Sequence, residues 1–102
     1  MLAIVHTLLL LLAMTVSSPA HEVTLSWALN PQNPKPPIVH TRVYKSQSPC
    51  KTFWLAVSGL NGTSWSDEGV LAGKTYCYFT TVRNPTTGKE SGKSNEVTVT
   101  IP

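Results

Sequence analysis

Between Glu22 and Trp27, polar and apolar residues alternate without a break. Val23, Leu25 and Trp27 fall on one side, and Glu22, Thr24 and Ser26 on the other. A period of two places every second side chain on the same face, which is the pattern of a strand with one buried side. The pattern returns at Val39, Thr41 and Val43, over residues 76–82, and at Val97, Val99 and Ile101. Residues 53–57 form a short apolar run, and residues 63–66 predict a short strand around Trp65. Residues 46–51 and 58–62 read as turns. Residues 30–37 contain Pro31, Pro34, Pro36 and Pro37. Proline fixes φ and donates no amide, so this segment is a stiff loop and not a central strand or helix interior. Nothing holds helical periodicity over about ten residues. Short strands at regular spacing with turns between them predict an all-β antiparallel sandwich or barrel.

The N-terminal segment is of another kind. Residues 8–12 are all leucine, inside an apolar stretch that runs from residue 1 to 16. Ser18-Pro19-Ala20 then supplies the small-x-small site of a secretory signal peptide, so residues 1–20 are read as a leader and 21–102 as the mature domain. A spanning helix needs about 20 apolar residues. This run is shorter and is interrupted by His6, so no stable membrane span is expected after cleavage. The expected location is extracellular or periplasmic, and possible attachment to the cell surface is left open. No cysteine precedes Cys50, so a lipid-modified cysteine at the new N-terminus is ruled out. With 102 residues in all, one domain is the ceiling. The net charge is +3, and the basic residues Lys35, Arg42, Lys45, Lys51, Lys74, Arg83, Lys89 and Lys93 are scattered along the chain. No basic stripe forms, which argues against nucleic-acid binding.

Five segments, in order, resemble the fibronectin type III family. Glu22-Val-Thr-Leu-Ser-Trp27 is similar to its second strand with the buried tryptophan, and Val43-Tyr-Lys-Ser46 to its third. Thr63-Ser-Trp-Ser-Asp67 resembles the short strand that usually reads Thr-x-Tyr-x-Asp. Val70-Leu-Ala-Gly-Lys-Thr-Tyr76 resembles the Leu-x-Pro-Gly-x-x-Tyr signature, and residues 88–91 with 94–97 resemble the close of bacterial and environmental members. The likeness covers essentially all of residues 22–102. It implies an immunoglobulin-like antiparallel β-sandwich. Tyr76 would be the tyrosine corner, its hydroxyl bonded to backbone near Val70 or Ala72, and Trp27 would share the core with Tyr76, Tyr78 and Val82. The chain departs from the family in having Thr41 where a tyrosine is common. Its first strand is expected to be short or missing, because Glu22 follows the cleavage site almost at once. In this fold the strand holding Cys77 pairs antiparallel with the third strand, which Cys50 follows. The resemblance therefore implies a Cys50–Cys77 disulfide, in keeping with an even cysteine count in a secreted chain.

Few residues suggest catalysis or cofactor chemistry. Gly88-Lys-Glu-Ser-Gly-Lys-Ser94 looks like a phosphate-binding loop but is one residue short of the pattern, and no helix follows. There is no Gly-x-Ser-x-Gly, the mature chain has only His21 and His40 as imidazole bases, and no spacing pairs two carboxylates. The expectation is a non-enzyme with no cofactor. One metal alternative stands: cleavage after Ala20 would leave His21 N-terminal, able to chelate copper with His40 as a second ligand. Asn61-Gly62-Thr63 is a glycosylation acceptor in a eukaryotic secretory pathway. No Arg-Gly-Asp occurs, which excludes integrin-type adhesion through that motif.

The family implies extracellular adhesion, spacing or ligand binding. The expected function is therefore a secreted interaction module whose partner is a protein or a surface polysaccharide, with a carbohydrate-binding accessory as the alternative. Alternation along the strands points Cys77, Phe79, Thr81 and Arg83 outward with His40, Arg42 and Tyr44, so that Tyr44 and Phe79 share one exposed sheet face bordered by Arg42 and Arg83. Aromatics and arginine are the residues that dominate binding interfaces. The loops at residues 30–37 and 84–93 are expected at one end of the sandwich as a competing site. With the first strand missing, residues 22–28 would stand at an open edge guarded only by Glu22, Thr24 and Ser26. Such an edge invites a partner strand or a second copy of the chain. If cleavage falls earlier, residues 15–20 would supply a vestigial first strand.

Overall fold

The structure, a computed structural model, describes residues 14–17, 21–31 and 33–102. It contains seven strands: β1 (Met14–Ser17), β2 (Val23–Trp27), β3 (His40–Gln47), β4 (Trp54–Leu60), β5 (Ser64–Asp67), β6 (Thr75–Arg83) and β7 (Val97–Thr100). They form two antiparallel sheets, one ordered β1-β2-β5 and the other β4-β3-β6-β7. The molecule is an antiparallel β-sandwich, one of the two architectures the alternation allowed and the one the family likeness implied.

The inward residues of β2 are Val23, Leu25 and Trp27, all buried. Facing them from the second sheet are Val43 of β3 and Tyr76 and Tyr78 of β6, with Val70 and Ile101 closing the core. Tyr78 is fully buried, at 0% exposure. Aromatic side chains of this size bury the most area per residue and dominate a small core. Tyr76 anchors the start of β6, its hydroxyl accepting from the Leu71 amide at 3.0 Å. That bond ties the β5–β6 connection to the sheet.

Three expectations need correction. Residues 58–62 do not all form a turn: β4 runs on to Leu60, because backbone pairing with β3 continues through two register shifts, the last pair being Thr41 with Leu60. Cys77 and Thr81 alternate outward with Phe79, yet both are buried, at 4% each. The disulfide covers the first, and the Glu90 carboxylate covers the second. The strand at residues 22–28 is not an open edge. Met14–Ser17 pair with it from Met14 opposite Trp27 to Ser17 opposite Thr24, and β5 pairs with its other side. The residues expected to guard the edge face outward in the sheet, where Thr24 Oγ1 lies 3.0 Å from Ser66 Oγ and 3.3 Å from Glu22 Oε1. The side of residues 22–28 expected to be open is occupied by β1. The first strand is short rather than missing, and its Met14 is a core residue at 6% exposure. Of the expected leader, residues 1–13 and 18–20 lie outside the described residues.

Register fixes the two ends of the sandwich. His40 pairs with Arg83 at one end and Gln47 with Tyr76 at the other. The loops at residues 30–37 and 84–93 thus share the first end. Cys50 and Cys77 lie at the second, joined in a disulfide with their Cα atoms 6.0 Å apart.

Candidate functional site

The outer faces of the two sheets differ sharply in chemistry. On the three-stranded sheet, the residues that alternate away from the core are Thr15, Thr24, Ser26, Ser64 and Ser66, all small and hydroxylated. On the four-stranded sheet, Arg42 and Tyr44 of β3 stand beside Thr81 and Phe79 of β6. The Tyr44 and Phe79 rings stack at 4.9 Å with 17° between their planes, and Phe53 tilts against Phe79 at 4.8 Å. Leu55 pairs with Tyr44 across the strands, and Trp54 begins the strand at the sheet's edge. These two are among the few large apolar residues left well exposed, at 39% and 48%.

Tyr44, Phe79, Arg42 and Arg83 do share this face, but they are half-buried rather than open. A residue that sequence reasoning passed over explains why. Glu90, in the loop after β6, bridges back to Arg83 and lays its carboxylate over the sheet. Arg42 Nη1 donates to it at 2.7 Å, the Thr81 hydroxyl at 2.6 Å and the Tyr44 hydroxyl at 2.5 Å. Burial works to raise the Glu90 pKa, but donation from Thr81, Tyr44 and Arg42 outweighs it and holds the carboxyl below its ordinary value. The same contact, with burial leading, raises the Tyr44 phenol. Lys93 from the same loop stands over the Phe79 ring at 5.4 Å. The only signal for Glu90 in the sequence was its place in the loop dismissed as a phosphate-loop lookalike. That loop is a structural strap: Ser91 and Ser94 accept from the Val82 and Thr80 amides of β6 at 3.0 and 2.9 Å, finishing its edge where β7 stops.

A shallow pocket of about 160 Å³ opens beside the strap, lined by His40, Arg42, Ser58, Gly59, Arg83 and Pro85. His40 Nδ1 lies 2.6 Å from Asn61 Oδ1, which places the sequon asparagine at its rim. His21 precedes the end of β2 that pairs with Asp67, whereas His40 sits at the Arg83 end, so the two imidazoles expected as a copper pair stand at opposite ends of the sandwich. Among the described residues no group of three or more metal-ligating side chains occurs. No described helix is long and apolar enough to cross a membrane.

Two antiparallel sheets of three and four strands, with a tyrosine anchoring the start of β6, define an immunoglobulin-like β-sandwich. No family model and no curated protein matches the chain. Among solved structures it is similar to an Fn3-like protein from Clostridium thermocellum, with 18% identity, 88% of each chain covered and a TM-score of 0.71. It is also similar to the twitchin kinase region from C. elegans (20% identity, TM-score 0.70, 84% of this chain and 15% of that one). A third similar structure is a β-1,2-glucanase from Parabacteroides distasonis (20%, 0.71, 88% and 12%). The chain therefore has a fibronectin type III-like fold, and the likeness is one of fold alone.

Proposed function

We propose that the chain is a secreted, non-catalytic binding module that holds an extracellular partner on the outer face of its four-stranded sheet. The observation that carries this reading is the contrast between the two outer faces. One offers small hydroxyls with Glu22 beside them, while the other gathers Tyr44, Phe53, Phe79 and Leu55 with Arg42, Arg83 and Lys93 around them. Aromatic and arginine side chains supply most of the energy in binding interfaces, and small serines supply little. The non-catalytic part rests on the polar groups themselves. The described ion-paired carboxylates and His40 are engaged in contacts inside the fold, with no nucleophile–base pair among them.

A surface polysaccharide is the partner class favoured by a second observation. Besides the glucanase, the similar structures include pectate lyase PelI from Erwinia chrysanthemi in complex with tetragalacturonic acid (18% identity, TM-score 0.66, 85% of this chain and 27% of that one). The present fold thus occurs as one part of longer carbohydrate-active chains.

Affinity electrophoresis of the purified protein through a panel of neutral and acidic polysaccharides tests the reading. Retardation by at least one polymer is expected. It should weaken by about tenfold in Tyr44→Ala and in Phe79→Ala, each of which removes one ring of the stacked pair, worth about 1–3 kcal/mol at an interface. Both variants should keep the circular dichroism of the parent. Retention of full binding by two folded variants would place the binding surface elsewhere.

A further inference from the structure

The pocket beside the strap has a chemistry that neither the fold nor the aromatic strip requires. Its floor is made by β4, which spends an extra residue in each of two intervals against β3: between the Val57 and Leu55 pairs, and between the Leu60 and Val57 pairs. Gly59 lies in the second interval with φ of 76°, a conformation that costs other residues. Bulges of this kind re-aim a strand, and they concentrate beside binding sites. Here they put Ser58 and Gly59 opposite two guanidinium groups and an imidazole.

The charge around the pocket is unbalanced. His40 and Arg83 face one another across β3 and β6, and Arg42 is two residues along on the same face. Among the described residues, Glu90 is the only carboxylate paired with this group. It takes Arg42 through one nitrogen at 2.7 Å while also accepting from Tyr44 and Thr81. Arg42 Nε is buried with no partner. Among the described residues Arg83 has no ion-pair partner, and its Nη2 reaches toward Gly88. A planar guanidinium with free donors is suited to a carboxylate, which it can hold with two parallel bonds.

The size of the pocket selects what carries that carboxylate. At about 160 Å³ it far exceeds the roughly 30 Å³ share of one water, so a bare ion would leave most of it unfilled. The remaining walls, Ser58, Gly59 and Pro85, are small and uncharged, suited to a ring that follows the charged group. Arg42 also stands 5.9 Å over the Tyr44 ring, which makes the pocket continuous with the aromatic strip. We propose that the pocket binds the carboxylate of a uronic-acid sugar, with Arg83 as its main anchor, Arg42 as a flanking donor and His40 as a wall held by Asn61. This rests on the reading of the outer face as the binding face and adds the chemical class of the ligand.

Calorimetric titration of the protein with trigalacturonate, and with the same trisaccharide methyl-esterified at every carboxyl, tests it. The acid should bind, and the ester should bind about tenfold or more weakly, since a charge-assisted hydrogen bond contributes about 1.5–3 kcal/mol. Arg83→Gln should lose the preference for the acid. Lys74→Gln, which removes an equal charge at the far end, should not. Affinity should fall with added salt. Equal binding of acid and ester would overturn the pocket while leaving the outer face standing, and binding of neither would overturn the proposal. Inorganic phosphate or triglutamate binding as tightly as the trisaccharide, with the same dependence on Arg83, would show a general oxyanion or acidic-peptide site and overturn the sugar assignment.

Discussion

Two carboxylates in this domain each receive a cation, a tyrosine hydroxyl and one further donor, and end in opposite situations. Asp67, at the end of β5, lies in the interior. Lys45 Nζ is 2.8 Å away, the Tyr78 hydroxyl donates at 2.7 Å and the Gly69 amide at 2.9 Å. Lys45 completes the group by donating to the Gly69 carbonyl at 2.9 Å and standing 4.9 Å over the Tyr76 ring. Glu90, on the outside, takes an arginine, a tyrosine and a threonine. The side chains of the inner pair are 9% and 8% exposed, against 23% and 27% for the outer pair. The inner group pins β3, β5 and β6 together across the two sheets. The outer group shapes a surface, and its arginine remains within reach of a ligand. The same charge chemistry thus serves architecture where water is excluded and, on the proposed reading, recognition where it is not.

The largest effect should come from breaking the inner group. Lys45→Met leaves the Asp67 carboxylate buried without its cation, which costs about 3–5 kcal/mol. Chemical denaturation should show that loss at neutral pH. If the two sites are the equals their partners suggest, Arg42→Met will cost as much. The expected cost there is about 1 kcal/mol, because a half-exposed pair is screened by solvent. Replacing both members of the inner pair by apolar residues, as Lys45→Met with Asp67→Leu, should recover much of the loss.

Removing the disulfide comes next. A bridge spanning 27 residues contributes about 3.5 kcal/mol on the chain-entropy account. Cys50→Ala with Cys77→Ala should therefore lower the denaturation midpoint substantially. In a domain this small, that is a large fraction of the total stability. The bridge closes the end of the sandwich away from the proposed pocket, so ligand binding by the folded fraction should be unchanged.

Acid acts on the two carboxylates in the same direction, and burial separates them. Burial raises the Asp67 pKa, but the bonds from Lys45, Tyr78 and the Gly69 amide overcome it, and the carboxyl ends below its ordinary value, as Glu90 does. A carboxyl with a lowered folded pKa stabilises the fold above its unfolded value of about 4, and that stability drains away as pH falls further. Melting temperature should accordingly drop below about pH 4. The slope should flatten more in Asp67→Asn than in Glu90→Gln. The sign reverses for Tyr78, whose phenol is raised by burial and by Asp67. Its contribution is intact below the unfolded value of about 10 and is lost as pH climbs beyond it, so Tyr78→Phe should soften alkaline unfolding.

What was legible in the sequence follows from how local each cause is. Period-two alternation is a property of neighbouring residues, so β2, β3, β6 and β7 could be read from Val23, Val43, Tyr78 and Val97. The disulfide was reachable through the family likeness because both cysteines adjoin strands with an expected partner. Glu90 was not reachable. Its role depends on a loop folding back over a face built by residues 42, 44 and 81, and no spacing along the chain encodes that. The Lys45–Asp67 pair was hidden for a similar reason: Lys45 sits in an alternating strand where a charge reads as outward, and only the Gly69 turn and the Tyr76 ring make its inward position tolerable. The first strand was legible only as an alternative because residues 14–17 belong to an apolar run read as a leader. A short strand and the end of a leader have the same composition.

The smallest structural effect, and the sharpest test of the comparison, belongs to Leu55. It stands 39% exposed on the edge strand β4, opposite Tyr44 on the outer face. Truncating a side chain that is partly in water forfeits only part of its burial energy, so Leu55→Ala should change stability by about 1 kcal/mol or less. An edge strand with exposed apolar residues and no charge is normally a liability, and β4 carries neither a charged residue nor a proline. Its bulges already limit edge-to-edge pairing, so an exposed leucine is not needed to keep the fold or to keep copies apart. If the outer face exists for binding, Leu55→Ala will weaken polysaccharide retention while denaturation and sedimentation stay as in the parent. If Leu55→Ala instead destabilises the fold as much as Lys45→Met does, the outer surface is core architecture in another place, and the division between the two carboxylate sites collapses.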